Sequence, residues 1–177
     1  MISESNKCAL VIIDAQERLM PVIANREGVS KTIQGLVQFA NINDIPILVT
    51  EQQNLGQTLS EISGLIKDFQ PISKITFSCF DCPEFVEALE KAGSNTIIIA
   101  GVEAHICVCQ TALAAMGRYD VHVVGDGVSS RSLLNMQAAL DRLRQEGVTI
   151  TTKEMLFYEI LKQAGTPQFK ETLKLVK

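Results

Sequence analysis

Residues 95–117 read "NTIIIAGVEAHICVCQTALAAMG". A β-branched apolar run ends at Gly101, a short elbow follows, and from Cys107 onward the apolar positions recur at helical spacing until Gly117 closes the segment. A strand that turns directly into a helix is the building unit of an α/β sheet. The elbow carries Glu103, His105, Cys107 and Cys109, residue types that bind metals, exchange electrons, attack carbonyl carbons or simply pack.

The same alternation extends outward along the chain. Strand-like runs at 8–14 (CALVIID), 45–51 (IPILVTE), 120–126 (DVHVVGD) and 148–152 (VTITT) alternate with helical periods at 30–44, 82–93, 107–117, 132–147 and 154–165. A further strand is expected just after Lys74, in "SKITFSCF". Near-continuous apolar strands are those covered on both faces. These patterns predict a three-layer α/β/α Rossmann-like fold with a mainly parallel sheet of about six strands, formed as one domain over 1–177. Residues 53–74 are polar and glycine-containing at their start, with one short helix expected before Pro71. A connection of that length is more often functional than idle.

Composition narrows the function classes. The chain has 177 residues, 46% of them hydrophobic, enough for a core that needs no covalent staples. Its five cysteines are an odd number in a chain of this size and read as reduced thiols, not a disulfide framework. A net charge of -4 with the signs interspersed offers no basic patch for nucleic acid and no polybasic face for a membrane. The start "MISESNKCALVIID" is polar and unlike a signal peptide, and no apolar run approaches a membrane span. A cytoplasmic protein with a small-molecule substrate is expected.

Ligands of open parallel sheets sit beyond the carboxyl ends of the strands, where the strand order reverses. Asp14 follows the first strand, Cys107 follows the elbow, and Lys74 stands ahead of the expected third strand. An acid, a cation and a thiol are what nucleophilic acyl transfer requires if the fold brings them together. A thiol near a helix N-terminus or a lysine ionises below its ordinary pKa of about 8.5, while a neighbouring carboxylate opposes this. Backbone N–H groups at the elbow can hold an oxyanion. Singly, Cys107 reads as a buried small hydrophobe, Asp14 as a turn cap and Lys74 as a surface lysine. Their joint placement carries the catalytic reading. Against it stand a non-catalytic binding or scaffold protein and a zinc site assembled from "CFDC" (79–82), His105, Cys107 and Cys109. On one helix, Cys107 and Cys109 point about 200° apart, which weakens the zinc alternative. Glu51 at the end of the second strand and His105 on the elbow are candidates for lining a substrate pocket.

The segments "VIIDAQ" (11–16), "KITFSCF" (74–80) and "IIIAGVEAHIC" (97–107), in this order and spacing, resemble the isochorismatase-like cysteine hydrolase family. "VHVVGDGVSSRS" (121–132) and the tail "PQFKETLKLVK" (167–177) resemble its isochorismatase-domain-containing branch. The resemblance implies Asp14 as general acid/base, Lys74 as the cation and Cys107 as the nucleophile. It implies a cis peptide at Val102–Glu103, from which the N–H groups of Glu103 and Cys107 are drawn as oxyanion-hole candidates. Gln16, on the Asp14 loop, is placed as a further substrate-facing residue. Metal-dependent members carry an aspartate and histidines after the second strand, where this chain reads "TEQQNLGQT" (50–58), so neither a catalytic metal nor a cofactor is expected. Members that cleave isochorismate lack the cysteine, so the resemblance favours hydrolysis of a C–N bond through a thioester, and it implies a homo-oligomer.

Overall fold

The computed structural model describes residues 7–176. The polar start read at 1–6 lies outside the described residues. Six strands form one parallel sheet: β1 (Cys8–Ile13), β2 (Ile47–Gln52), β3 (Ile72–Lys74), β4 (Thr96–Val102), β5 (Asp120–Ser129) and β6 (Thr149–Thr151). Their order is β3-β2-β1-β4-β5-β6. The chain first winds outward from β1 to β3, then returns to β1's other side with β4. The order therefore reverses between β1 and β4, the position beyond whose carboxyl ends open α/β sheets bind their ligands.

Every residue of β1 and β4 is buried, as their β-branched sequences require of strands covered twice. Side chains alternate between two apolar layers. Cys8, Leu10 and Ile12 pack with α1 (Arg26–Ile42) and α6 (Lys153–Leu161), where Phe39 and Phe157 stack at a centroid distance of 4.1 Å. Ala9, Val11 and Ile13 face α3 (Pro83–Ala92), α4 (Cys109–Ala115) and α5 (Leu133–Gln145). The result is the expected three-layer α/β/α arrangement.

Two further helices, α2 (Ser60–Ser63) and α7 (Pro167–Thr172), are short. The first is the helix expected ahead of Pro71. The second is capped by the Thr166 side chain, which accepts from the Phe169 N–H, and no helical period in the sequence announces it. α1 also begins four residues earlier than the helical period suggests, because the chain enters it through Asn25 in a left-handed conformation at φ 53.

Lys74 ends β3; it does not precede a strand. The residues after it, Ile75 and Thr76, have strand-forming side chains, but Ile75 is 74% exposed and the chain has already left the sheet edge. This correction matters for the site, since it moves Lys74 to the same edge of the sheet as Asp14.

Candidate active site

Asp14 is the first residue beyond β1. Its backbone adopts φ 51, a left-handed conformation that aspartate tolerates better than most residues, and its N–H donates to the Thr50 carbonyl of β2 at 3.2 Å. The neighbouring strand is held equally close. Gly101 of β4 lies in register with Ile13 at φ 121, and a Cβ at this position would collide with the Ile13 backbone. Only glycine satisfies both demands.

β4 leads into the elbow, where the Val102–Glu103 peptide bond is cis. One π-helical turn follows, Ala104–Val108, and runs into α4. Cys107 thus sits in the opening turn of a continuous helical segment. The Glu103 side chain reaches the segment just after β5, where its carboxylate accepts from the Arg131 backbone N–H at 2.8 Å and from Arg131 Nε at 3.1 and 3.2 Å.

Three distant segments converge beyond the carboxyl ends of β1, β3 and β4. Lys74 Nζ donates to Asp14 Oδ2 at 2.7 Å and lies 3.8 Å from Cys107 Sγ. Asp14 and Lys74 have no exposed side-chain surface, and Cys107 is 6% exposed. Two residues that the sequence reading did not select complete the cluster. Thr50 donates its hydroxyl to Asp14 Oδ1 at 2.8 Å, and Gln52 Oε1 accepts from Lys74 Nζ at 2.9 Å. The Thr76 carbonyl accepts from the same ammonium at 3.2 Å. A cue for Thr50 is its parallel pairing with Ile13, the residue before Asp14.

These neighbours set the electrostatics. Burial pushes the Cys107 thiol up to about 12; the Asp14 charge acts in the same direction, and Lys74 only partly offsets them. The lowered thiol pKa expected from a helix start and a nearby lysine is therefore not the resting condition of this site. Burial works to depress the Lys74 pKa, yet Asp14, through its charge and its hydrogen bond, holds the ammonium above its ordinary value. The resting cluster is a buried ammonium–carboxylate pair beside a neutral thiol. Cys79 is a second thiol nearby, buried and pushed up to about 11 chiefly by burial, with its sulfur 4.0 Å from Thr50 Oγ1.

The other selected residues take different positions. Gln16 is fully buried: its Nε2 donates to the Gln52 carbonyl at 3.0 Å and the Gly56 carbonyl at 2.7 Å, while its Oε1 accepts from the Gln52 N–H at 2.9 Å. Glu51 Oε1 accepts from the Thr58 N–H at 2.7 Å and the Thr58 hydroxyl at 2.8 Å. Both side chains pin the loop after β2. His105 is directed away from Cys107, its Nδ1 2.9 Å from Ser130 Oγ and its ring beside a cleft with Cys109 and Arg142. Cys82 donates to Glu84 Oε2 at 3.3 Å. Among the described residues no group of three or more His, Cys, Asp and Glu side chains gathers as a metal-holding set, so the zinc cluster considered for the "CFDC" and elbow residues is not assembled. No helix among the described residues is long and apolar enough to cross a membrane.

Comparison with known proteins adds independent findings. A family model described as "Isochorismatase domain" matches residues 8–155. Isochorismatase domain-containing protein 1 of Danio rerio is 38% identical over 168 residues, which is 93% of this chain and 59% of the fish protein. The chain thus spans less than two thirds of that relative. Isochorismatase domain-containing protein 2A of Mus musculus is 35% identical over 176 residues, 95% of this chain and 82% of the mouse protein. A solved structure described as MAR1 ribonuclease from Caenorhabditis elegans superposes with a TM-score of 0.92 at 33% identity, covering 99% of this chain and 92% of that one.

Proposed function

The chain belongs to the isochorismatase family, and from that premise we propose that it is a cysteine hydrolase cleaving a C–N bond of a small molecule, with Cys107 as nucleophile, Asp14 as general acid/base and Lys74 as the fixed cation. The observation that carries this reading is the meeting of Lys74 Nζ with Asp14 Oδ2 at 2.7 Å and with Cys107 Sγ at 3.8 Å, at the point where the strand order reverses.

In the proposed reaction the thiol proton passes to Asp14 as Cys107 Sγ attacks the carbonyl carbon of an amide. The carbonyl oxygen takes the negative charge, stabilised by the N–H groups of Glu103 and Cys107. Asp14 then delivers its proton to the leaving nitrogen, the C–N bond breaks, and a thioester remains on Cys107. Asp14 next removes a proton from water as it attacks the thioester, and collapse releases the acid and restores the thiol. Lys74 stays an ammonium throughout. It stays bonded to the Asp14 carboxyl and offsets the charge that develops on sulfur. The thiol's high resting pKa favours attack coupled to proton transfer over a standing thiolate. No cofactor enters these steps.

The reading includes a homo-oligomer and a small-molecule substrate. Apolar side chains left exposed at Ile75, Phe77, Leu133 and Leu134 favour a covering subunit. The ribonuclease description of the worm structure is not extended to this chain, whose net charge of -4 works against binding a polyphosphate. Turnover of small amides and ureido compounds by wild type, lost in Cys107→Ala with the fold intact, is the expected result. Equal turnover by the two proteins would overturn the assignment.

A further inference from the structure

An ammonium has three N–H donors. In Lys74 all three have oxygen acceptors: Asp14 Oδ2 at 2.7 Å, Gln52 Oε1 at 2.9 Å and the Thr76 carbonyl at 3.2 Å. The sulfur of Cys107, at 3.8 Å, lies beside a cation whose shorter contacts all go to oxygen. Of the three acceptors, the Thr76 carbonyl belongs to the backbone and Asp14 forms the buried ion pair. Gln52 is the neutral side chain among them.

Gln52 is itself held at both ends. Its Nε2 donates to the Ile75 carbonyl at 2.8 Å, which fixes the amide orientation and presents Oε1 to the ammonium. Its backbone N–H and carbonyl are gripped by the Gln16 side chain at 2.9 and 3.0 Å. These backbone contacts do not depend on the Gln52 side chain, so the side chain can be changed without releasing the main-chain clamp.

We propose that Gln52 is a positioning residue of this site, whose amide oxygen competes with the Cys107 sulfur for the protons of the Lys74 ammonium. The inference rests on Cys107 being the nucleophile of the proposed reaction. With Gln52 in place, four acceptors share three N–H donors, and the contact to sulfur at 3.8 Å is the longest of them. Without that oxygen, the freed donor turns to the nearest remaining acceptor, the sulfur, and a charge-assisted hydrogen bond stabilises the thiolate. The amide thereby restrains the free protein from forming an idle, alkylation-prone thiolate.

The test follows alkylation of Cys107 by iodoacetamide with peptide mass spectrometry across pH 6–10, in wild type, Gln52→Leu and Gln52→Glu. The expected result is opposite displacement of two rate–pH profiles. Gln52→Leu moves toward lower pH by about one unit through the gained hydrogen bond, and Gln52→Glu moves toward higher pH because a second carboxylate faces the sulfur. Thermal melts identify any variant that has lost its fold, and the remaining variant then decides. Profiles that coincide with wild type, or a Leu profile displaced upward, overturn the positioning role while leaving the nucleophile assignment intact. If native wild-type Cys107 resists alkylation throughout and Cys107→Ala retains turnover, the nucleophile assignment fails and the inference fails with it.

Discussion

The Lys74 ammonium and the Asp14 carboxylate meet at 2.7 Å with neither side chain exposed to solvent. Removing one partner of such a pair strands a charge in the interior, at a typical cost of about 3–5 kcal/mol. Lys74→Met should lose stability of that order, read as a lowered urea midpoint. The double variant Asp14→Asn/Lys74→Met leaves no stranded charge and should recover much of the loss. Additive destabilisation in the double variant would contradict the pairing.

The pH response of the thiol has a definite sign. With its pKa pushed up to about 12, wild-type Cys107 stays protonated at neutrality, and its alkylation rate should climb with each pH unit up to pH 10 without a plateau. Asp14→Asn removes a like charge and should speed alkylation at fixed pH, whereas Lys74→Met removes an attraction and should slow it. The same Asp14→Asn change should abolish turnover, because the proton acceptor is gone. Faster alkylation together with lost hydrolysis separates a base from a merely structural acid, and slower alkylation in Asp14→Asn would reverse the electrostatic assignment.

Gly101 has no tolerated replacement. A methyl group there meets the Ile13 backbone, and φ 121 is unfavourable for any side chain. Gly101→Ala should separate β4 from β1 just below Asp14, giving insoluble protein or a loss of stability above about 3 kcal/mol through overpacking and backbone strain. A melting temperature within a degree or two of wild type would refute this placement.

Gln16 ties the loop after β2 to the floor of the site. In Gln16→Ala the Gln52 N–H and the Gly56 carbonyl lose their side-chain partner, at a cost of about 1–3 kcal/mol. The Gln52 amide should then exchange its hydrogen faster, and residues 53–59 should become more accessible to protease. Unchanged exchange at Gln52 would show that the clamp is redundant.

Much of this architecture was legible because burial leaves a plain trace. β1 and β4 are covered on both faces, so their residues are almost all apolar, and the layer order followed from their alternation with helical periods. Lys74 was harder to place: a three-residue edge strand is too short for periodicity, and the exposed Ile75 that follows it looks like a strand residue. Thr50 and Gln52 gave no signal of their own. A polar residue ending a strand reads the same whether it faces water or a buried carboxylate, and only the parallel pairing of β2 with β1 brings Thr50 to Asp14. Gln16 and Glu51 illustrate the converse, since polar groups that sequence position put near the cleft are engaged in holding the loop. The balance between cation and carboxylate at the thiol was open in the sequence, because proximity to a cation says nothing of how completely the sulfur is desolvated.

The two strands that present the acid and the elbow are buried along their whole length, whereas Ile75, Phe77, Leu133 and Leu134 are exposed apolar side chains. Substitution at these exposed positions leaves untouched the packing of the buried strands that set Asp14 beside Lys74.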